Sequence, residues 1–318
     1  IILSNFTLKI TGVQKKTPSL PVPRKLLLIK NGTIEYSGVN FFIDEIVAQS
    51  VPMKKSFTFK GTITRSNLMQ KLTFSGEGTY KKRVPAINGQ FSISALNLAQ
   101  LSPMIEGQAS VRGSFSYGKK GLSLDGPFDV SRCIIRNSVF SKPLHIGYTQ
   151  GKLSLNYSGD FIRLHMSDIA YRDTHFVTNL TLDHTGLHEL ELSSGFFNIR
   201  PIVDDFPVHG FDSALLDSLN GGMVRIQKLV HNKKTPLHAE IELQNVGITI
   251  DKKYFSNLKG FLTVNHQSVH LSEIQATYGG STVYNVSGII PLEKDKTTKL
   301  KGNFSFDLRD IPSLTNIG

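Results

Sequence analysis

Apolar and polar residues alternate along most of the chain, and this alternation predicts β-strands. Residues 6–10, 57–60, 111–117, 153–157 and 304–308 each place apolar side chains at every second position. A period of two gives a strand one apolar face and one polar face. We therefore predict an all-β protein.

Turn-forming sequences separate the predicted strands and indicate how they connect. These sequences are Asn31-Gly32, Asn88-Gly89, Lys119-Lys120-Gly121, residues 183–186 and residues 294–296. Short strands joined by tight turns favour antiparallel meanders, because parallel pairs need long crossovers. Helix is scarce, and its two candidates are residues 212–219, which stop at Gly221-Gly222, and residues 96–101.

The length of the chain limits the architecture of this sheet. At roughly one strand per 12–14 residues the chain holds about 20–25 strands, which at ~4.8 Å each span on the order of 100 Å. Open twisted sheets rarely exceed ~10 strands without curling or splitting. Separate sandwiches would need linkers, and the sequence has none beyond residue 24 apart from residues 204–222. A closed membrane barrel would not carry so many lysines and arginines in its strands. We therefore predict one long antiparallel β-sheet that is curled into a gutter, with one or two short helices.

Composition narrows the class of protein further. The chain of 318 residues has a formal net charge of +11, 39% hydrophobic residues and a single cysteine, Cys133. One cysteine excludes an internal disulfide and a thiolate-rich zinc domain. No apolar run reaches the ~18–20 residues of a membrane span. The chain begins at Ile1 without a methionine, so we expect a piece of a longer protein.

The apolar face of the predicted sheet supplies the candidate binding residues. The inward side chains of successive strands would line a groove on this face. These are Phe57, Phe59, Leu72, Phe74, Phe91, Ile93, Phe115, Leu122, Leu124, Leu153, Leu155, Val224, Ile226, Ile241, Leu243, Ile248, Ile250, Val264, Leu271, Phe304 and Phe306. The same stripes would also pack against each other in an ordinary sandwich core, and periodicity does not separate the two interpretations.

One segment of the sequence recurs along the chain. Residues 87–101 align without gaps on residues 300–314, with coincident Gly, Phe, Ser and final Leu, and residues 195–202 form a looser copy. A spacing of about 106–107 residues indicates about three related units of an array.

Several motifs in the second half of the chain carry a family resemblance. They are a short helix over residues 212–222, strands at residues 222–226, 239–246, 258–264 and 269–274, the Tyr278-Gly279-Gly280-Ser281 strand, and the closing residues 304–311. With these motifs the chain resembles the AsmA-like superfamily of bacterial envelope lipid-transport proteins (AsmA, TamB and YhdP types). The resemblance covers residues 206–318 well and residues 87–205 more loosely, and before residue 87 it rests on strand rhythm alone.

The resemblance implies a non-enzymatic lipid conduit. Family members are tethered at the inner membrane of a Gram-negative bacterium, and their taco-shaped periplasmic sheet carries phospholipid acyl chains toward the outer membrane. We therefore expect one elongated β-groove fragment, residues 1–318, built of about three units at roughly 25–106, 107–205 and 206–318. Its partner would be phospholipid or another acyl lipid, and a region of the parent protein outside this chain would reach the membrane.

Two other functions use the same sequence features. A structural or adhesive envelope protein with a closed, dry core and no lipid transport would have the same apolar stripes. Nucleic-acid binding would use the basic clusters, but the chain has no recognition element for it. Clusters such as Lys119-Lys120 and Lys252-Lys253 lie in predicted turns, where lysines solvate loops or attract anionic head groups. We therefore expect no nucleic acid as a partner.

Motifs that carry catalysis or bind metals do not occur in the sequence. It has no nucleophile elbow, no phosphate-binding loop and no His-Glu-x-x-His. The pairs His184/His188 and His266/His270 are each four residues apart, and a zinc site would need a third ligand from elsewhere. Cys133 lies in an apolar segment and is expected to be a small buried hydrophobe. We predict no enzyme, no metal and no cofactor.

Overall fold

The described residues are almost entirely β-strand. The computed structural model describes residues 2–10, 26–36, 39–51, 55–65, 70–81, 84–100, 105–136, 143–183, 186–201, 219–232, 237–250, 252–293, 297–307 and 309–310. The strands are β1 Ile2–Ser4, β2 Thr7–Ile10, β3 Leu26–Tyr36, β4 Val39–Ser50, β5 Ser56–Arg65, β6 Lys71–Lys81, β7 Val84–Asn97, β8 Ile105–Gly118, β9 Gly121–Ile135, β10 Leu144–Ser158, β11 Phe161–Tyr171, β12 Thr174–Asp183, β13 Gly186–Ser194, β14 Phe196–Asn198, β15 Leu219–Asn232, β16 His238–Ile250, β17 Lys253–Asn265, β18 Ser268–Tyr278, β19 Ser281–Pro291 and β20 Lys299–Ser305.

The strands form one long, open, mostly antiparallel sheet. From β3 to β8 and from β15 to β20, each strand pairs antiparallel with the next. The all-β, antiparallel prediction is confirmed, while the curl of the sheet into a groove stays a prediction. In the part of the chain that the structure describes, no helix is long and apolar enough to cross a membrane.

The first two strands depart from the predicted meander. Both β1 and β2 pair with β3 in parallel, with Ile2 opposite Leu28 and Thr7 opposite Thr33. Residues 11–25 separate β2 from β3 in sequence, which is enough chain for the crossover that a parallel pair needs.

Two of the predicted turns are wrong. Asn31-Gly32 lies inside β3 and Asn88-Gly89 lies inside β7. A Cβ at Gly32 would lie 2.5 Å from the Phe6 ring, and a Cβ at Gly89 would lie 2.2 Å from the Ser75 carbonyl oxygen. These glycines make room for a neighbouring ring or strand, which the Asn-Gly pattern alone does not distinguish from a turn. The Lys119-Lys120 turn between β8 and β9 is confirmed.

Within the residues that the structure describes, helix is as scarce as the sequence predicts. Leu98–Gln100 form one 3-10 turn after β7, which contains Leu96 and Asn97, so the helix predicted over residues 96–101 is too long. Residues 199–201 are also helical. The helix predicted over residues 212–219 lies outside the described residues except for Leu219, which begins β15.

The chain divides into two compact units. Unit 1 comprises residues 1–134 and 146–164, and unit 2 comprises residues 135–145 and 165–318. The main buried cluster of unit 2 is Phe197, Val224, Leu243, Val246 and Ile274. The buried hydrophobic residues of unit 1 include Ile43, Ala48, Phe57, Phe91, Ala109 and Cys133. The predicted division into three repeats stays a prediction.

The three copies of the recurring segment contain the same turn. The Oδ1 atoms of Asn97, Asn198 and Asp307 accept hydrogen bonds from the backbone N–H groups of Ala99, Arg200 and Arg309 at 3.0, 3.1 and 3.0 Å. Each is an Asx turn: Asn97 and Asn198 are the last residues of β7 and β14, and Asp307 lies two residues after β20. The turns are 101 and 109 residues apart (198 − 97 and 307 − 198), so the first and the last are separated by 210 residues. The gapless sequence alignment has an offset of 213 residues (302 − 89), so it does not place these two turns opposite each other.

Aligned β-bulges interrupt four consecutive strands of unit 2. Asn245, Asn257, Glu273 and Asn285 lie in β16, β17, β18 and β19 and have φ angles of 53°, 53°, 55° and 54°. The strand register shifts beside each of them. A bulge adds one residue to a strand, bends it and increases its twist. The four strands are therefore bent at corresponding positions.

Candidate functional site

In unit 1 the candidate residues form rows that run across the strands on one face. The register places Phe59 of β5 opposite Gly76 of β6, Gly76 opposite Gly89 of β7, and Gly89 opposite Phe115 of β8. The ring centroids of Phe59 and Phe115 are 6.0 Å apart. Facing positions three strands apart are separated by roughly 14 Å of sheet. The rings meet because the two glycines between them leave the surface free of side chains.

The next row places its rings in the middle. Gly61 of β5 faces Phe74 of β6, which faces Phe91 of β7, which faces Gly113 of β8. A Cβ at Gly61 would lie 2.4 Å from the Phe74 ring. Rings and glycines therefore alternate between rows, and the rings of Phe74 and Phe115 cover Gly61 and Gly89. We call this surface the apolar face of unit 1.

The remaining candidates of unit 1 continue this face. Leu72 of β6 faces Ile93 of β7. A Cβ at Gly113 would lie 2.8 Å from the Cα of Gly126 on β9, and strand alternation places Leu122 and Leu124 on the same side as Gly126. Leu153 and Leu155 follow at alternating positions of β10.

Most of the apolar face of unit 1 is only partly covered. Among its candidate residues, Phe57 and Phe91 are buried, each with 8% of its surface exposed. The other nine are half-buried: Phe59, Leu72, Phe74, Ile93, Phe115, Leu122, Leu124, Leu153 and Leu155. In a sandwich, a second sheet would pack across this face and bury it.

In unit 2 the candidate residues also share one face. Val224 of β15 faces Leu243 of β16, and both are buried. The neighbouring row runs from Ile226 through Ile241 and Leu262 to Leu271. Ile248 faces Phe255, and Val264 faces Ala239. The candidates Ile226, Ile241, Ile248, Val264 and Leu271 are half-buried. We call this surface the apolar face of unit 2.

The bulges keep the apolar residues of unit 2 on one face. Across each bulge the spacing between apolar residues is three instead of two: Leu243/Val246, Phe255/Leu258, Leu271/Ile274 and Val283/Val286. The core residues Val246, Ile274 and Phe197 were not among the sequence candidates. A spacing of three in the middle of four consecutive strands is the signal that would have found Val246 and Ile274.

The last candidates lie at the end of the described chain. Phe304 of β20 faces Val283 of β19, and Phe306 follows the end of β20. Their rings stack with centroids 5.6 Å apart, and they are 56% and 55% exposed. Both rings are thus open to solvent. The side chain of Ile250 lies outside the described residues.

The opposite face of the sheet is polar and carries ion pairs. Lys30 Nζ lies 2.9 Å from Glu45 Oε1, and the hydrogen bond from Lys30 holds the pKa of the Glu45 carboxyl below its usual value. The Arg225 guanidinium pairs with Glu242 and lies 4.9 Å from the centroid of the Phe196 ring. In both pairs the charged side chains thus lie on the face opposite the candidate residues.

The polar face of unit 1 also contains two shallow cavities over the glycine rows. Their volumes are about 610 Å³ and 450 Å³. The larger is lined by Thr58, Ser75, Gly76, Glu77, Asn88, Gly89, Gln90, Ser114, Phe115, Ser116 and Asp125. Eight of these eleven residues have hydroxyl, amide or carboxylate side chains.

Metal-ligating chemistry is sparse within the described residues. They contain no group of three His, Cys, Asp or Glu side chains that could hold a metal ion. His188 Nδ1 lies 3.6 Å from Asp183 Oδ2, and His270 Nε2 lies 3.0 Å from Ser268 Oγ. His184 lies outside the described residues. Cys133 is buried, as predicted, and burial raises the pKa of its thiol.

No family model, no curated protein and no solved structure matches this chain. The resemblance to the AsmA-like superfamily therefore rests on the sequence motifs alone. The structure shows two partly covered apolar faces on an open sheet.

Proposed function

We propose that this chain is a non-enzymatic lipid-binding segment that carries phospholipid acyl chains along its apolar faces. The observation that carries the proposal is the partial exposure of large apolar side chains in regular rows. Nine of the eleven unit 1 candidates are half-buried on an open sheet. Large contiguous apolar surfaces left open to solvent mark binding sites for apolar partners.

The energetics of acyl transfer favour such a surface. At about 0.8 kcal/mol per buried CH₂, the ~30 methylenes of a phospholipid are worth on the order of 25 kcal/mol. Only a continuous apolar surface gains that much while the head group stays in water. Rows that alternate rings with glycines, such as Phe59, Gly76, Gly89 and Phe115, provide such a surface with shallow relief.

The cellular setting in this proposal comes from the family resemblance. An AsmA-like segment would lie in the periplasm of a Gram-negative bacterium, and its parent protein would be anchored in the inner membrane. It would carry phospholipid between the inner and outer membranes, with membranes as its partners and without a cofactor or nucleic acid. The motifs at residues 278–281 and 304–311 support this setting.

Lipid extraction tests the proposal directly. The chain is purified without added detergent and washed, and its solvent extract is analysed by mass spectrometry for phospholipid per mole of protein. Leu155→Asp places a charge on the apolar face, and Asn156→Asp places the same charge on the neighbouring exposed position of β10. We expect retained phospholipid in the wild type and Asn156→Asp, and at least a tenfold loss in Leu155→Asp at unchanged circular dichroism. Phe59→Asp repeats the test on β5.

Two results would overturn the proposal in favour of a structural or adhesive protein with a closed, dry core. One is a wild type without stoichiometric lipid after mild purification. The other is complete unfolding by Leu155→Asp, because a charge buried between packed layers destabilises the fold, whereas a charge on an open face remains hydrated.

A further inference from the structure

Lys253 occupies an unusual position at the edge of the apolar face of unit 2. It is the first residue of β17 and faces Ile250 across the β16–β17 hairpin. Two residues further along the strand, Phe255 faces Ile248 on the same side. Tyr254 between them points to the other side, where it is 53% exposed. The Lys253 side chain therefore shares a face with apolar residues.

The ammonium group of Lys253 is buried and has no hydrogen-bond partner among the described residues. A lysine at a strand end normally extends its nitrogen into water while its methylenes cover apolar surface. Burying a charged ammonium without a partner is costly unless an anion neutralises it. The neighbouring Lys252 is exposed in the turn, at a φ of 66°. The two adjacent lysines thus differ in environment.

We propose that the Lys253 ammonium binds the anionic end of an acyl lipid, a phosphate or a carboxylate, whose chain lies on the apolar face of unit 2. This inference rests on the proposed function and deepens it, because it assigns the lipid a negative charge and a direction. The chain would leave the anion along Phe255 and Ile248, next to the Phe255–Tyr278 ring pair with its centroids 5.2 Å apart. The buried cation supplies the complementary charge, and the adjoining face supplies the apolar contact.

Competition with a fluorescent fatty acid measures whether the protein prefers acyl ligands with an anionic end to uncharged ones. The competitors are hexadecanoate, its methyl ester, hexadecyl phosphate and inorganic phosphate, tested on the wild type, Lys253→Gln, Lys253→Arg and the control Lys252→Gln. A lost charge-assisted contact should weaken hexadecanoate and hexadecyl phosphate about tenfold in Lys253→Gln and leave the ester within about twofold. Lys253→Arg should keep the preference for the acid over the ester, and Lys252→Gln should behave as the wild type.

Protein stability supplies a second readout that does not depend on lipid affinity. Lys253→Met removes a buried charge that has no hydrogen-bond partner among the described residues, so it should raise the urea midpoint of lipid-free protein. When hexadecyl phosphate is added, the urea midpoint of the wild type should rise by more than that of Lys253→Met. A variant less stable than the wild type in the lipid-free form would contradict the unpaired state of the ammonium and overturn the proposal.

The failures of the two proposals are distinguishable. A wild type that binds all acyl competitors without preferring acid to ester would overturn the role of Lys253 and leave the lipid-binding face intact. An equal loss of acid and ester in Lys253→Gln would do the same. A wild type that binds no acyl competitor would overturn the proposed function. If inorganic phosphate competes as well as hexadecyl phosphate, the site binds free anions and the assignment to a lipid is wrong.

Discussion

The rings of Phe59 and Phe115 meet at 6.0 Å although two strands separate the residues that carry them. Gly76 and Gly89 occupy the intervening positions of the row. A Cβ at Gly76 would lie 2.1 Å from the Asn88 carbonyl oxygen, so the two central strands also approach more closely than side chains allow. The two glycines thus allow both the contact between the Phe59 and Phe115 rings and the close approach of β6 and β7.

Gly76→Ala should lower the free energy of unfolding by about 2–3 kcal/mol, because the methyl group meets a backbone oxygen that cannot rotate away. Urea unfolding followed by circular dichroism measures the change. The matched control is Gly118→Ala, since Gly118 has nothing within 4 Å of its side-chain position. Equal effects of the two substitutions would contradict the close approach of β6 and β7.

A double-mutant cycle on Phe59→Ala and Phe115→Ala should give a coupling energy of about 0.5–1.5 kcal/mol, as expected for aromatic rings in contact. The measurement is the urea midpoint and slope of the wild type, both single variants and the double variant. Additive losses would mean that the rings do not touch in solution.

The strands could be predicted from the sequence because period-two alternation follows from strand geometry and holds in nearly every segment. The parallel pairing of β1 and β2 with β3 could not, since it depends on the path between distant segments and not on local pattern. The turn predicted at Asn31-Gly32 is wrong for a related reason. Glycine is required at position 32 because the Phe6 ring occupies the space that a side chain would take, and this contact is not visible in the local sequence.

Which side chains share the apolar face could be predicted where alternation is unbroken but not where it is interrupted, and lipid binding by this face stays a prediction. Phe59 and Phe115 follow strict alternation, and they contact each other. Val246 and Ile274 lie after bulges, where the phase of the pattern changes by one residue. The predicted turn position is wrong for Lys253, which begins β17, and the burial of its nitrogen could not be predicted because it depends on the packing around the hairpin end.

Glu273→Asn should stabilise the protein by about 0.5–1 kcal/mol, because asparagine tolerates the left-handed conformation better than glutamate. Glu273 is exposed and has a φ of 55°, and the corresponding bulges on β16, β17 and β19 all carry asparagine. Thermal and urea unfolding measure the gain. The control is Ser272→Asn on the same strand, for which we expect no gain. A loss at position 273 would mean that the carboxylate of Glu273 matters more than its backbone conformation.

Cys133 should make the protein less stable at alkaline pH. Burial raises the pKa of its thiol in the folded state, so the folded protein favours the neutral form. This contribution to stability is fully present below the unfolded thiol pKa of about 8.5 and is lost as the pH rises through the higher folded pKa. The urea midpoint of the wild type should therefore fall more steeply above that pH than that of Cys133→Ala. Parallel curves would show that the thiol is not buried in solution.

Ser281 connects the β18–β19 turn to the residues that follow β20. The Ser281 hydroxyl donates to Asp310 Oδ2 at 2.8 Å and accepts from the Asp307 backbone N–H at 3.0 Å, and the Gly280 N–H donates to the same Asp310 oxygen at 2.9 Å. Two motifs that carry the family resemblance, residues 278–281 and 304–311, are thus in direct contact. Asp307 in turn accepts hydrogen bonds from the side chain and the backbone of Arg309.

The Asp307–Arg309 pair should add to stability at neutral pH and lose its effect in acid. Hydrogen bonds from the Arg309 side chain, and then from its backbone, lower the pKa of the Asp307 carboxyl. A lowered folded pKa contributes stability that is present above the unfolded value of about 3.9 and is lost as the pH falls through the folded pKa. Arg309→Gln should therefore lower the urea midpoint at pH 7 by a small amount, since the Arg309 side chain is 87% exposed, and by less at pH 3. Lys301→Gln on exposed β20 is the control for a lost positive charge. If Arg309→Gln changes the urea midpoint equally at pH 7 and pH 3, the pair does not act through the Asp307 carboxylate.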